Sequence, residues 1–95
     1  VIAHEADFAL AKNIADRLHL PLYALHMVRY ADSEIEVCIQ DDVKISHDSH
    51  ALVVHSTSRP VHDTLMKLLL TIQMLKNKGA SIITAIIPYF GYGRQ

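Results

Sequence analysis

Ala51-Leu52-Val53-Val54, then Ser56-Thr57-Ser58-Arg59-Pro60, then Leu65, Leu68, Leu69, Ile72 and Leu75, and finally Ile82-Ile83-Thr84-Ala85-Ile86-Ile87 form the stretch that decides the fold. The opening apolar run is that of a strand buried on both faces. The turn that follows is a helix entry, with Ser58 as candidate cap and Asp63 in the first turn. The leucines and isoleucine recur at i, i+3, i+4, i+7 and i+10, one face of a helix. Lys76, Lys78 and Gly79 give that helix a basic last turn and a glycine stop. The β-branched run up to Pro88 is a second strand. Strand, helix, strand in this order implies two parallel strands joined by a right-handed crossover.

Working outward toward the N-terminus, Val1 to Ala3 is a short apolar piece that reads as the end of a strand. From Asp7, suited to an N-cap or first turn, Phe8, Ala11, Ile14, Ala15 and Leu18 follow helical spacing until Pro21 closes the element. Leu22 to Tyr30 reads as a strand. Ile35, Val37 and Ile39 alternate with Glu34, Glu36, Cys38 and Gln40, a strand with one wet face. The Ala31-Asp32-Ser33 break between them fits a hairpin. The order is β-α-β-β-β-α-β: an α/β domain, a mostly parallel sheet flanked by helices with an antiparallel excursion. Ligands of such sheets gather beyond the carboxyl ends of the strands. Here those loops are His4-Glu5, the Ser56–Pro60 turn and the Pro88–Gln95 tail.

Composition narrows the function. The chain has 95 residues, 51% hydrophobic and 20% charged, with mean hydropathy +0.18, net charge −1 and pI about 6.7. That length suits one core and not two domains with a cleft between them. The balance of charge gives no drive toward nucleic acid or an anionic membrane. A single cysteine, Cys38, excludes an intrachain disulfide framework and a cysteine-based zinc site. No apolar run approaches the roughly 20 residues of a membrane span, and Val1-Ile2-Ala3-His4-Glu5 lacks signal-peptide character. A cytoplasmic protein is the expectation.

Several residues invite chemistry. Seven histidines suggest a metal, but only His47, Asp48 and His50 cluster, in a polar loop where a solvated role outweighs ligation. His26 reads as a strand residue. His55 and His62 flank the Ser56–Pro60 turn and could line a site mouth, as could His4-Glu5. Cys38 has no neighbour to activate it. Ser56-Thr57-Ser58 could cradle a phosphate or simply form a capped turn. Neither common Gly-rich phosphate loop is present. The tail sets Tyr89, Phe90 and Tyr92 beside Arg94 and Gln95, rings that stack on a base and a guanidinium that pairs with phosphate. Tyr30-Ala31-Asp32-Ser33-Glu34 sets a ring beside carboxylates that accept hydrogen bonds from a base amine or a ribose hydroxyl. The residues alone point to part of a nucleotide-binding α/β protein.

At these stretches the sequence resembles the N-terminal domain of ribose-phosphate pyrophosphokinase. Tyr30-Ala31-Asp32-Ser33-Glu34 is similar to the family's F-x-D-G-E. Ser56 to Leu69 is similar to S-T-S-x-P-V-N-D-N-L-M-E-L-L, and Thr84 to Gln95 to T-A-V-I-P-Y-F-x-Y-A-R-Q. Ile14 to Leu18 also fits the family's first helix. The resemblance implies a phosphoribosyltransferase-like N-terminal domain, the first of two. It implies transfer of the β,γ-diphosphoryl group of ATP to the 1-hydroxyl of ribose 5-phosphate, with Mg²⁺ whose ligands lie mostly outside this chain. It implies that Tyr30 borders the adenine, that Asp32 and Glu34 hydrogen-bond it in a neighbouring subunit's site, and that Arg94 and Gln95 bind ATP. A dimer-based homo-oligomer, commonly a hexamer, follows. No catalytic nucleophile is expected here.

The departures are Tyr30 for Phe, Ser33 for glycine (harmless unless the position needs φ > 0), His62 for Asn and His4 for glycine. Gly91 and Gly93 stand for Pro and Ala, expected to loosen the tail. The positions of the family's regulatory phosphate site read Asp42, Lys44 and Gly79, and Asp42 would repel an anion, so classical phosphate activation is expected to be lost. Ending at Arg94-Gln95, the chain reads as a truncated piece, inactive alone. The alternatives are a non-catalytic regulatory or nucleotide-binding homologue and a generic α/β interaction domain.

Overall fold

Ile2 and Ala3 are adjacent, and so are Val53 and Val54, yet each pair divides between two hydrophobic clusters. Successive side chains of a strand point to opposite faces, so one sheet feeds two cores. A computed structural model describes residues 1–39 and 43–94 of this chain. Its strands are β1 (Ile2–Ala3), β2 (Tyr23–Arg29), β3 (Ile35–Ile39), β4 (His50–Val54) and β5 (Ile82–Ile86). Helix α1 spans Phe8–Leu18 after a single 3₁₀ turn at Glu5–Asp7, and α2 spans Val61–Asn77. The element order is the one read from the sequence.

The sheet runs β3-β2-β1-β4-β5. β1 is parallel to β2 and β4, and β4 is parallel to β5. Only the β2–β3 hairpin is antiparallel, pairing Leu25 with Ile39 through Arg29 with Ile35. On one face Ile2, Leu25, Ile39, Ala51 and Val53 pack with Leu68 and Leu75 of α2. On the other Val1, Ala3 and Val54 pack with Ala11 and Ala15 of α1. The small alanines on α1 let it sit close to the sheet. Val53, Val54 and Leu75 are fully buried, and each such side chain contributes about 1.5–3 kcal/mol.

Both helices stop in the way their ends require. Gly79 adopts φ 107° and its neighbour Ala80 donates to the Leu75 carbonyl, closing α2 in the left-handed C-cap geometry. α1 ends likewise, but on His19 at φ 55°, with Leu20 donating to Ala15. The starts differ from expectation. Pro60 occupies the N-cap of α2 and Ser58 caps nothing; its carbonyl accepts from the Thr64 hydroxyl instead. Asp7 holds the N-cap position of α1, but its carboxylate bonds elsewhere. From β1 the chain runs to β2 on one side, and from β4 to β5 on the other. The carboxyl ends of β1 and β4 thus form the topological switch point, where ligands of open α/β sheets bind.

Candidate functional site

His4 follows β1 and His55 follows β4, so the switch point brings the two rings together. They meet edge to face, centroids 5.1 Å apart and planes at 69°, and both are buried. His55 Nε2 lies 2.7 Å from the Thr64 carbonyl, which only accepts, so Nε2 carries the proton. His55 Nδ1 and His4 Nε2 are buried with no partner among the described residues. Burial, then the neighbouring His55 and Lys67 charges, pushes His4 down to about 4, against a smaller opposing effect of Asp7. Burial also lowers His55, opposed by its bond to Thr64 and by Asp7. Two neutral rings therefore plug the switch point. The expectation that His4 and His55 line a mouth is corrected: both are inside, because the sheet leaves no solvent between adjacent parallel strand ends.

The β4–α2 turn is tied down from two sides. The Ser56 N–H donates to Asp7 Oδ2 at 3.0 Å, joining it to the start of α1. The Thr57 N–H donates to the Tyr89 carbonyl at 2.9 Å. These amides are engaged inside the protein, so the first half of the turn does not offer them to a phosphate. Thr57, 1% exposed, clamps the chain after β5: its hydroxyl donates to the Tyr89 carbonyl at 3.1 Å and accepts the Gly91 N–H at 2.6 Å. A Cβ on Gly91 would stand 2.5 Å from the Thr57 carbonyl and 2.7 Å from Val61. Gly91 does not loosen the tail; it lets the tail dock. The sequence offered Thr57 only as part of a phosphate cradle or capped turn, not as this clamp, and its reading of Gly91 was wrong; the one available signal was a glycine set between bulky rings.

This docking forms a cavity of about 700 Å³, with Arg59, His62, Tyr89, Phe90, Tyr92 and Arg94 on its walls. That volume lies in the range of small-molecule sites. Among the described residues the lining holds two guanidinium groups and an imidazole and no carboxylate, in a chain whose net charge is −1. His62 Nδ1 is hydrogen-bonded to the Tyr92 hydroxyl, and Tyr92 takes φ 66°. His62 thus lines a mouth as expected. Arg94 is in the site; Gln95 lies outside the described residues.

Tyr30, Asp32 and Glu34 do not line this cavity. They sit on the β2–β3 turn, all exposed. The turn closes by Tyr30 N–H to the Glu34 carbonyl and Ser33 N–H to the Tyr30 carbonyl. Ser33 adopts φ 77°, so the position does require the left-handed region and serine is strained there. Asp32 accepts the Glu34 N–H at 3.0 Å, and that bond holds its carboxyl below the ordinary value. The Tyr30 hydroxyl donates to Glu36, which raises its pKa. Arg29 anchors the turn with an ion pair of 2.9 Å to Asp63, in the first turn of α2. The hairpin and the cavity therefore share one rim of the sheet and one helix end.

The remaining candidates lie elsewhere. His26 is exposed, and Cys38 donates weakly to the His26 carbonyl. His50 bonds the Thr84 hydroxyl across β4–β5. Among the described residues no three His, Cys, Asp or Glu side chains are grouped to hold a metal ion, and no helix is long and apolar enough to cross a membrane. Of the regulatory positions, Asp42 lies outside the described residues. Lys44 is exposed, and Gly79 stops α2 beside the His47 ring.

The family model described as the N-terminal domain of ribose phosphate pyrophosphokinase matches residues 1–95. The ribose-phosphate pyrophosphokinase of Bradyrhizobium diazoefficiens is 45% identical over 95 residues, 100% of this chain and 29% of the relative. That of Maricaulis maris is 48% identical over 86 residues, 90% of this chain and 27% of the relative. Among solved structures, phosphoribosylpyrophosphate synthetase from Mycobacterium smegmatis is similar at a TM-score of 0.80 and 32% identity, over 98% of this chain and 30% of that one. The chain spans less than a third of the length of these relatives.

Proposed function

Because the chain belongs to the family of ribose phosphate pyrophosphokinase N-terminal domains, we propose that these residues are the first of two domains of a ribose-phosphate diphosphokinase. The whole protein transfers diphosphate from ATP to ribose 5-phosphate, giving PRPP and AMP for nucleotide biosynthesis. The observation that carries this is the cavity with two guanidinium groups on its walls, formed where the Tyr89–Arg94 segment docks on the β4–α2 turn. Phosphoryl transfer asks the protein mainly to position phosphates and neutralise their charge. Arg94, with Gln95 beside it in sequence, binds ATP here. Tyr30, Asp32 and Glu34, outside the cavity but on the same rim, serve the adenine of a neighbouring subunit's ATP in a dimer-based homo-oligomer. The described residues do not form a magnesium cage, and the ligands of the Mg²⁺ that the reaction class uses lie mostly outside this chain. The setting is cytoplasmic.

The test is AMP formation from ATP and ribose 5-phosphate by the longest natural polypeptide containing these residues. Activity is expected, with Arg94→Ala lowering it about 100-fold or more. Mixed assemblies of Arg94→Ala and Tyr30→Ala subunits should regain part of it. ATP binding without AMP formation would instead establish the non-catalytic nucleotide-binding reading. An acidic residue at position 42 of the sequence supports loss of phosphate activation: activity should stay flat as inorganic phosphate is added, and a steep rise would refute it.

A further inference from the structure

The proposed site leaves Arg59 and His62 without a role. Arg59 sits on the β4–α2 turn and Arg94 on the segment after β5, yet both line one cavity. The only ion pair among the described residues is Arg29–Asp63, so no carboxylate among them neutralises either guanidinium. Guanidinium groups grip phosphate oxygens through pairs of parallel hydrogen bonds. Whether two of them act on one ligand depends on what fixes their separation. Two devices do so. Thr57 holds the base of the segment through Tyr89 and Gly91. His62, in the first turn of α2, holds its far end through the Tyr92 hydroxyl, with the rings 5.8 Å apart. Tyr92 stays in the left-handed region (φ 66°), which a tyrosine avoids when nothing holds it.

We propose that Arg59 is a second phosphate-binding residue of this site and pairs with Arg94 on the polyphosphate of a nucleoside triphosphate, with His62 as the positioning residue that latches Tyr92 and sets their spacing. This rests on the functional reading above and adds to it two residues carried by the β4–α2 turn and α2. It also gives His62 a reason to differ from a solvated helix residue: its Nδ1 is committed to the tail, and the first turn of α2 becomes part of the cavity wall.

The experiment uses the full-length protein, with KM for ATP, KM for ribose 5-phosphate and inhibition by inorganic tripolyphosphate as readouts. Arg59→Gln should raise KM for ATP and weaken tripolyphosphate inhibition about tenfold each, with KM for ribose 5-phosphate within about twofold of wild type. Arg59→Lys, which keeps charge and loses the fork, should fall between. Tyr92→Phe and His62→Ala should each raise KM for ATP about three- to fivefold, and together no further, since both break one bond. His62→Asn, whose amide reaches the place of Nδ1, should recover most of that loss. Arg59 is exposed and its replacement does not threaten folding. If wild type forms AMP and Arg59→Gln leaves KM for ATP and tripolyphosphate inhibition within about twofold, the guanidinium pair is overturned while the functional reading stands. If wild type forms no AMP, the functional reading fails. Calorimetric binding of tripolyphosphate to wild type, weakened by Arg59→Gln, would then still support the pair, and its absence would overturn it.

Discussion

The chain after β5 and the turn between β2 and β3 both carry residues expected to meet ATP, and the fold treats them in opposite ways. The first is welded to the core: Gly91 is buried, its N–H is taken by a threonine that is itself 1% exposed, and no side chain fits at its position. The second stands in solvent, closed by its own backbone and anchored by one exposed ion pair. Arg94 is therefore presented by a fixed wall, whereas Tyr30, Asp32 and Glu34 are presented outward by a short hairpin. A wall suits a ligand the domain holds itself. An outward hairpin suits a ligand held by something docking against it.

Gly91→Ala strikes the fixed region hardest. The added methyl meets the Thr57 carbonyl backbone, which cannot move without lifting β4's end, so overpacking should cost about 2–3 kcal/mol. The melting temperature should fall by roughly 10 °C or more, and KM for ATP should rise as the cavity wall shifts. Thermal melting beside ATP kinetics checks both, and an unchanged melting temperature would show that the segment is not docked.

Acid acts on the buried histidine pair at the carboxyl ends of β1 and β4. His4 is held down at about 4 and His55 is also lowered, below the ordinary histidine value near 6.5. In that window the unfolded chain binds more protons than the folded one, so stability rises with pH. It is complete above about 6.5 and is lost as pH falls toward 4, by on the order of 2 kcal/mol after allowing for partial solvent screening. Urea midpoints measured between pH 7 and pH 4.5 should fall, and His4→Gln should flatten that slope. A slope equal to that of wild type would remove the pair as its source.

Much of this was legible in advance, because alternation and helical spacing respond to burial. Val53 and Val54, Leu68 and Leu75, and the Gly79 stop all read correctly, and with them the element order. The hairpin was legible because Tyr30 to Glu34 interrupts two strands. What did not show was anything set by residues distant in sequence. Nothing near Thr57 signals that it will hold Gly91, 34 positions on. Nothing near His4 signals that His55 will meet it edge to face, because that depends on β1 and β4 becoming neighbours. The Ser58 cap failed for a local reason: Pro60 takes the N-cap position two residues later, which leaves Ser58 outside the helix.

The smallest expected effect lies in the exposed region and runs in the opposite direction. Ser33 holds φ 77° in a turn whose closing bonds leave it no alternative. A non-glycine residue there is strained by roughly 1–2 kcal/mol. Glycine removes that strain but gains freedom in the unfolded chain, worth about 0.5–1 kcal/mol the other way. Ser33→Gly should therefore stabilise by about 0.5 kcal/mol, a rise of a few degrees in melting temperature. Ser33→Ala should do nothing, because alanine meets the same steric limit. If the two variants melt alike, the strain is absent and the hairpin is free to choose another turn. If only glycine stabilises, the turn geometry is fixed even without packing, and the hairpin presents Tyr30, Asp32 and Glu34 in one arrangement by backbone constraint, where the docked segment does so by burial.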